Sequence, residues 1–232
     1  MVRRETRKIV QDGNKRVHLI TRPHMVNVRM RVRGPDQVIV SGPGHCTFTT
    51  LWNFYKRHQK SVDAQLREVE KSNVLPPAFA DGQQLRWHGA EYPLSVRQSA
   101  SETMVFHDNS FFWQTKTASY QAGLAAYRAC LGHLLTGYAA DTLKEKYSRV
   151  TVQVKPYIAK WGLCRPDRKL LVLNLTLAVL PSRLTDYVIS HELAHLDVPN
   201  HSAAFFRRLE ELEPDWRRLG QELQSHRHVH LG

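Results

Sequence analysis

His191-Glu192-Leu193-Ala194-His195, with His201 following shortly after, is the stretch on which the reading of this chain turns. On an α-helix, positions i and i+4 share a face, so His191 and His195 can aim their imidazoles at one point. Zinc takes neutral imidazole nitrogens at about 2.0–2.1 Å, and a catalytic zinc uses three protein ligands and leaves one position for water. Glu192 is the next residue along the helix, within reach of that water as a general base.

Working outward, the chain continues Leu196-Asp197-Val198-Pro199-Asn200-His201. Pro199 disfavours helix at Val198, so the helix is expected to end there and the chain to turn, bringing His201 back as third ligand. Asp197 competes for that place, but it sits in the last helical turn with less freedom to reach back. Upstream, Leu184, Tyr187, Val188 and Ile189 form an apolar stripe and Pro181-Ser182 supplies a helix start. An ordinary buried helix carrying two histidines would show the same stripe. The third histidine after a helix breaker is what points to a metal site.

More residues join this pattern. Lys160-Trp161-Gly162-Leu163-Cys164, Leu173-Asn174-Leu175, Tyr187-Val188-Ile189-Ser190 with the histidine helix, Asn200-His201-Ser202 and Phe205-Phe206 together resemble the YgjP-like zinc metallopeptidase family, which is related to the SprT-like zincins. Leu163 stands where that family has serine, and Leu175 where it has tryptophan; the metal ligands and Glu192 are intact. The resemblance extends loosely over the basic N-terminal strands and Leu85–Leu94. It implies an α+β, zincin-like metallohydrolase with Zn2+ at His191, His195 and His201, Glu192 as the catalytic base, and a peptide or protein substrate. Trp161, Gly162 and Asn174 are the residues expected on the substrate side.

The chain has 232 residues, enough for one large domain or two small ones, and 42% hydrophobic content allows a packed core. The formal net charge of +12 favours anionic partners. Residues 1–34 hold ten Lys or Arg against two acids, two-thirds of that excess. Cys46, Cys130 and Cys164 are few, odd in number and widely spaced, which argues against a disulfide framework. The charged N-terminus has no apolar segment behind it, and the apolar run Leu170–Leu180 is too short to span a bilayer, so a cytoplasmic protein is expected.

Along the chain, a basic strand-and-helix region over 1–75 is expected, then a catalytic region over 76–232. Pro76-Pro77 and Asp81-Gly82 mark the soft boundary. Val26, Val28, Met30 and Val32 alternate with Asn27, Arg29, Arg31 and Arg33, a period-two strand with one basic face; Gly34-Pro35-Asp36 turns, and Val38-Ile39-Val40 returns. Arg29, Arg31 and Arg33 are candidate phosphate contacts, against the plainer reading of a solvated sheet face. One helix is expected over 47–71. Short strands follow at 85–96, 103–106 and 111–114, which the resemblance places in one small sheet with the N-terminal strands.

A long helix over 119–147 should pack behind the metal-binding helix. Strands are expected at 151–154, 158–163 and 170–173, and helices at 203–212 and 216–223. The tail histidines His226, His228 and His230 offer metal ligands, or simply a frayed basic terminus.

Zinc-assisted peptide hydrolysis is the preferred reaction, with the 160–164 strand holding an extended peptide. Two other classes stay open. A metal-dependent nucleotide phosphoanhydride hydrolase of pyrophosphatase type would use the same activated water, with the arginine strand holding phosphates. A nucleic-acid-associated protease or binding protein would use that strand for targeting.

Overall fold

The computed structural model describes residues 5–33, 37–71, 75–157, 160–229 and 231. The expected turn at Gly34-Pro35-Asp36, the start of the expected strand at Ile158, and His230 lie outside them. The chain divides into two compact units, Met1–Asn73 and Val74–Gly232.

The first unit is a four-stranded sheet with two helices. Strands β1 (Thr6–Asp12), β2 (Lys15–Arg22), β3 (Arg29–Arg33) and β4 (Gln37–Pro43) lie in the order β1-β2-β4-β3. The β2–β4 pair is parallel and the other two pairs are antiparallel. Val17, Leu19, Val38 and Val40 come from the alternating inward positions and bury against Leu51, Tyr55, Val62 and Leu66. Side chains of this size contribute about 1.5–3 kcal/mol each when fully buried.

The helix expected over 47–71 is in fact two, α1 (Phe48–Arg57) and α2 (Gln59–Lys71). His58 breaks it. Its backbone N–H is shared between the Phe54 and Tyr55 carbonyls, and its Nδ1 donates to the Phe54 carbonyl at 2.8 Å. The imidazole thus takes up an acceptor of the helical ladder and tightens the last turn of α1. Tyr55 Oη and Lys56 Nζ both donate to Asp12, at 2.6 and 2.8 Å, and tie α1 to the end of β1.

The second unit begins with strands β5 (Gln84–Trp87), β6 (Ala90–Gln98), β7 (Thr103–His107) and β8 (Ser110–Thr115), in the order β5-β6-β8-β7. The expectation that they join the N-terminal strands is corrected: they form a sheet of their own. Leu85, Leu94, Met104, Phe111 and Trp113 belong to one core with helix α3 (Tyr120–Leu143), which fixes their face to that helix. Two tight hairpin turns have positive φ at both central residues, His88-Gly89 and Asp108-Asn109. That is the geometry whose twist suits a two-residue hairpin, and Gly and Asn adopt it at low cost.

Ser119 caps α3 by accepting from the Ala122 N–H at 3.2 Å. The helix buries Leu124, Tyr127, Leu131, Leu135, Ala139 and Leu143. Its main partners are β9 (Thr151–Lys155) and the Leu175–Val179 3-10 turn. It therefore supports helix α4 (Ser182–Asp197) chiefly through that turn, and Tyr138 Oη donates directly to Asp186 at 2.8 Å.

The remaining strands, β10 (Gly162–Arg165) and β11 (Leu170–Asn174), complete a three-stranded sheet in the order β10-β11-β9. The strand expected over 158–163 begins later, at Gly162. Asn174 Nδ2 donates to the Tyr157 and Lys160 carbonyls at 3.0 and 2.8 Å, and Trp161, just before β10, lies in a bend. Leu171, Val172 and Leu173 are buried, as is every residue of the following 3-10 turn, so α4 starts from a fixed base. Helices α5 (Ala203–Leu212) and α6 (Trp216–Ser225) follow.

The described residues of the C-terminal tail pack on the core. Val229 and Leu231 are buried in the main core, and Arg128 Nε donates to the Leu231 carbonyl. Apolar residues alternating with the tail histidines anchor it.

Candidate active site

Helix α4 carries its apolar side chains Leu184, Val188, Ile189, Leu193 and Ala194 into the core. The adjoining face presents His191 and His195, one turn apart. The helix stops at Val198, whose N–H closes on the Ala194 carbonyl at 2.9 Å, and the Pro199-Asn200 turn returns His201 to the same spot. Ligand-capable atoms of His191, His195 and His201 all lie within 4.8 Å of one another, and this is the one such group among the described residues.

The donor set fits a tetrahedral metal ion. Two nitrogens bound at about 2.0–2.1 Å on a tetrahedral centre stand about 3.3–3.4 Å apart; His191 Nε2 and His201 Nε2 are 3.2 Å apart. His195 donates Nδ1–H to the Val198 carbonyl at 3.1 Å, which fixes the tautomer and frees Nε2 as a ligand. Burial, then the neighbouring His195 and His201, pull His191 down to about 4, and burial lowers His195 as well. Both are therefore neutral at physiological pH, as metal ligands must be.

Phe205 forms the floor. It is fully buried, and its ring lies 5.0, 4.5 and 4.7 Å from the rings of His191, His195 and His201. Residue pattern gave Phe205 no role; its position four residues after His201, on the first turn of the next helix, is the signal that would have found it.

Glu192 is 6% exposed. Burial raises its carboxyl to about 7, against the opposing pull of the Cys164 backbone N–H and of Lys160. That backbone contact comes from β10, which is the outer strand of its sheet. Asn174 N–H donates to the Trp161 carbonyl at 2.8 Å, so pairing alternates from there. Leu163 and Arg165 face β11, while Gly162 and Cys164 turn their backbone groups outward. Gly162, Leu163, Cys164 and Pro166 line a cavity of about 390 Å³ together with His191, Glu192, His195, Pro199 and His201.

The other residues singled out from sequence fall elsewhere. Asn174 is corrected as a substrate contact. It is buried, and its Oδ1 accepts from the Thr176 and Tyr157 N–H groups while Nδ2 donates twice, which uses the whole hydrogen-bonding capacity of the amide. Trp161 is half-buried against the core and does not line the cavity; Gly162 does. Asp197, the rival ligand, accepts from Arg208 Nε at 2.7 Å and stands outside the histidine cluster. Arg29, Arg31 and Arg33 sit on β3 in the first unit, with Arg29 and Arg31 exposed beside Ser41 and Ile39 of β4.

Residues 26–226 match the YgjP-like family, a metallopeptidase domain. The chain belongs to that family. The match is to a metallopeptidase domain, and it spans the histidine helix. Among curated proteins none matches the chain. Two solved structures are similar to part of it. One is the metallopeptidase zymogen of Pyrococcus abyssi abylysin, with 24% identity and a TM-score of 0.33 over 40% of this chain and 91% of that one. The other is the metallopeptidase zymogen of Methanocaldococcus jannaschii jannalysin, with 21% identity and a TM-score of 0.32 over 40% and 92%. No helix among the described residues is long and apolar enough to cross a membrane.

Proposed function

We propose that His191, His195 and His201 hold a zinc ion, and that Glu192 is the general base for cleavage of a peptide laid along β10. The observation carrying this reading is the placement of a buried carboxylate, held by the Cys164 N–H, beside three converging imidazoles. Zinc when bound supplies Lewis acidity, which polarises the scissile carbonyl and acidifies water. Glu192 accepts a proton from the attacking water and later delivers it to the leaving amine. A carboxyl poised near neutrality suits both transfers. The outward backbone groups of Gly162 and the Cys164 carbonyl offer edge pairing to an extended peptide, which orients its carbonyl without selecting its sequence.

The test is Glu192→Gln, which preserves shape and removes the base. Metal content should be unchanged while turnover of peptide substrates falls about 10²–10⁴-fold. A variant with near wild-type turnover would remove Glu192 from the mechanism.

Two further proposals rest on smaller observations. Arg29 and Arg31 are exposed, have no acidic partner among the described residues and share a strand face, which supports weak binding of nucleic-acid phosphates. Free thiols at Cys46, Cys130 and Cys164 support a reducing, cytoplasmic setting.

A further inference from the structure

A second cavity, of about 360 Å³, adjoins the catalytic one, and Pro166 lines both. Three cations line it: Lys146 and Arg149 from the segment after α3, and Lys169 from the turn before β11. Tyr147, Ser148, Val150 and Leu196 complete its wall, and no carboxylate lines it. Three nearby acids are already engaged, and Glu145 precedes Lys146 on an exposed stretch. Asp197 and Glu211 accept from Arg208 at 2.7 and 2.9 Å, and Asp167 pairs with Arg168 at 3.6 Å. Lys146, Arg149 and Lys169 have no ion-pair partner among the described residues.

Three exposed cations lining one concavity raise its potential and attract an anion. The position of the cavity says which anion. Strand β10 passes Glu192 at Gly162 and Cys164 and ends at Arg165, next to Pro166. From Gly162 to Pro166 an extended chain covers about 13 Å, at about 3.3 Å per residue. A peptide paired along that edge, with its scissile bond at Glu192, therefore presents a residue three or four positions away to the cations.

We propose that this cavity is a specificity subsite for a carboxylate of the peptide substrate, three or four residues from the cleaved bond. The proposal rests on the peptidase reading above. The carboxylate comes from an Asp or Glu side chain or from the peptide's own C-terminus. No lysine or arginine lines the catalytic cavity, whereas three cations line its neighbour.

The test uses the full-length, metal-loaded protein and a set of quenched fluorescent peptides in which one Glu is walked through positions on both sides of the cleaved bond. Each peptide is made with a free and an amidated C-terminus. Cleavage should favour Glu at one position on one side, through KM rather than kcat, by roughly tenfold over Gln at the same position, and the preference should shrink with salt. If amidation abolishes the preference, the C-terminal carboxylate is the ligand; if not, the side chain is.

In the variant Lys146→Gln/Arg149→Gln/Lys169→Asn the Glu-to-Gln ratio should fall to about one. Asn is chosen at Lys169 because φ there is +47°, a region Asn tolerates. Equal cleavage of Glu and Gln peptides by the wild type, or a preference that survives in the variant, would overturn the subsite.

Binding is measured separately on the metal-loaded Glu192→Gln protein, by anisotropy of the labelled Glu peptide, with and without the three replacements. Tight, cation-dependent binding without cleavage by the wild type would refute the peptidase reading and leave the subsite standing. Displacement by inorganic phosphate as effective as by unlabelled peptide would overturn the carboxylate assignment in favour of a phosphate site.

Discussion

Gly162→Ala should disable the enzyme without emptying its metal site. A Cβ built on Gly162 would lie 2.5 Å from Glu192 Oε1, 2.7 Å from Cγ and 2.9 Å from Cδ. Comfortable separations for such atoms are about 3.3–4.0 Å, so the carboxylate must retreat by roughly 1 Å. It cannot retreat freely, because Glu192 is buried and its helix is packed on the core. Backbone strain plays no part, since Gly162 is not among the positive-φ residues. A misplacement of about 1 Å near reacting atoms costs on the order of 100-fold in rate, or about 2.7 kcal/mol of activation free energy.

The assay is steady-state peptide cleavage alongside metal analysis. The expected result is full metal occupancy with kcat down about 100-fold and KM little changed. A rise in KM alone would instead make Gly162 a substrate contact, and a kcat within threefold of wild type would refute the steric argument. The partner experiment uses stability. In a Glu192→Ala background the added methyl has room, so Gly162→Ala should cost less in Tm there than in the wild type, a non-additivity expected only of touching residues.

Other outcomes follow from the same geometry. Single alanine replacements of His191, His195 and His201 should each deplete bound metal, whereas Asp197→Ala should keep it, because Asp197 is paired with Arg208; the reverse result for His201 and Asp197 would exchange their roles. Burial holds His88 down to about 4, from an unfolded value of 6.5, and leaves its Nε2 without a partner. The folded-state value is the lower one, so the stability tied to neutral His88 is complete above pH 6.5 and drains away as pH falls towards 4. Denaturation midpoints should therefore fall more steeply over that window in the wild type than in His88→Asn, and parallel pH profiles would dismiss the effect. Replacing Arg29 and Arg31 with Gln should flatten the salt dependence of duplex DNA binding by up to about two phosphate contacts, each worth about −0.9 in slope; an unchanged slope would leave the strand as a solvated face.

What sequence could foresee here divides along the range of the forces involved. The His191–His195 pair, the helix end before Pro199 and the return of His201 are all set by local rules: helical period, the proline restriction and a short turn. Features that depend on distant closure were missed. Asn174 looked like a substrate residue because it lies in a motif near the metal helix. Its four hydrogen bonds go to Tyr157, Lys160 and Thr176, and β10 begins at Gly162. His58 breaks a helix that propensity alone would continue, because its ring can reach the Phe54 carbonyl. Val229 and Leu231 turn a tail that reads as basic and loose into part of the core.

The same division separates the chemistry from its selectivity. Catalytic geometry needs side chains one helical turn apart, so a short motif carries it. The cations of the adjoining cavity come from Lys146, Arg149 and Lys169, and only the approach of the turn before β11 to the end of α3 gathers them. Thr151 N–H bonding to the Lys169 carbonyl at 2.8 Å is the contact that fixes this approach. A hydrolytic centre legible in a dozen residues and a specificity site assembled by the fold can then vary independently. Replacing those cations would retune which peptides are cut and leave His191, Glu192, His195 and His201 in place.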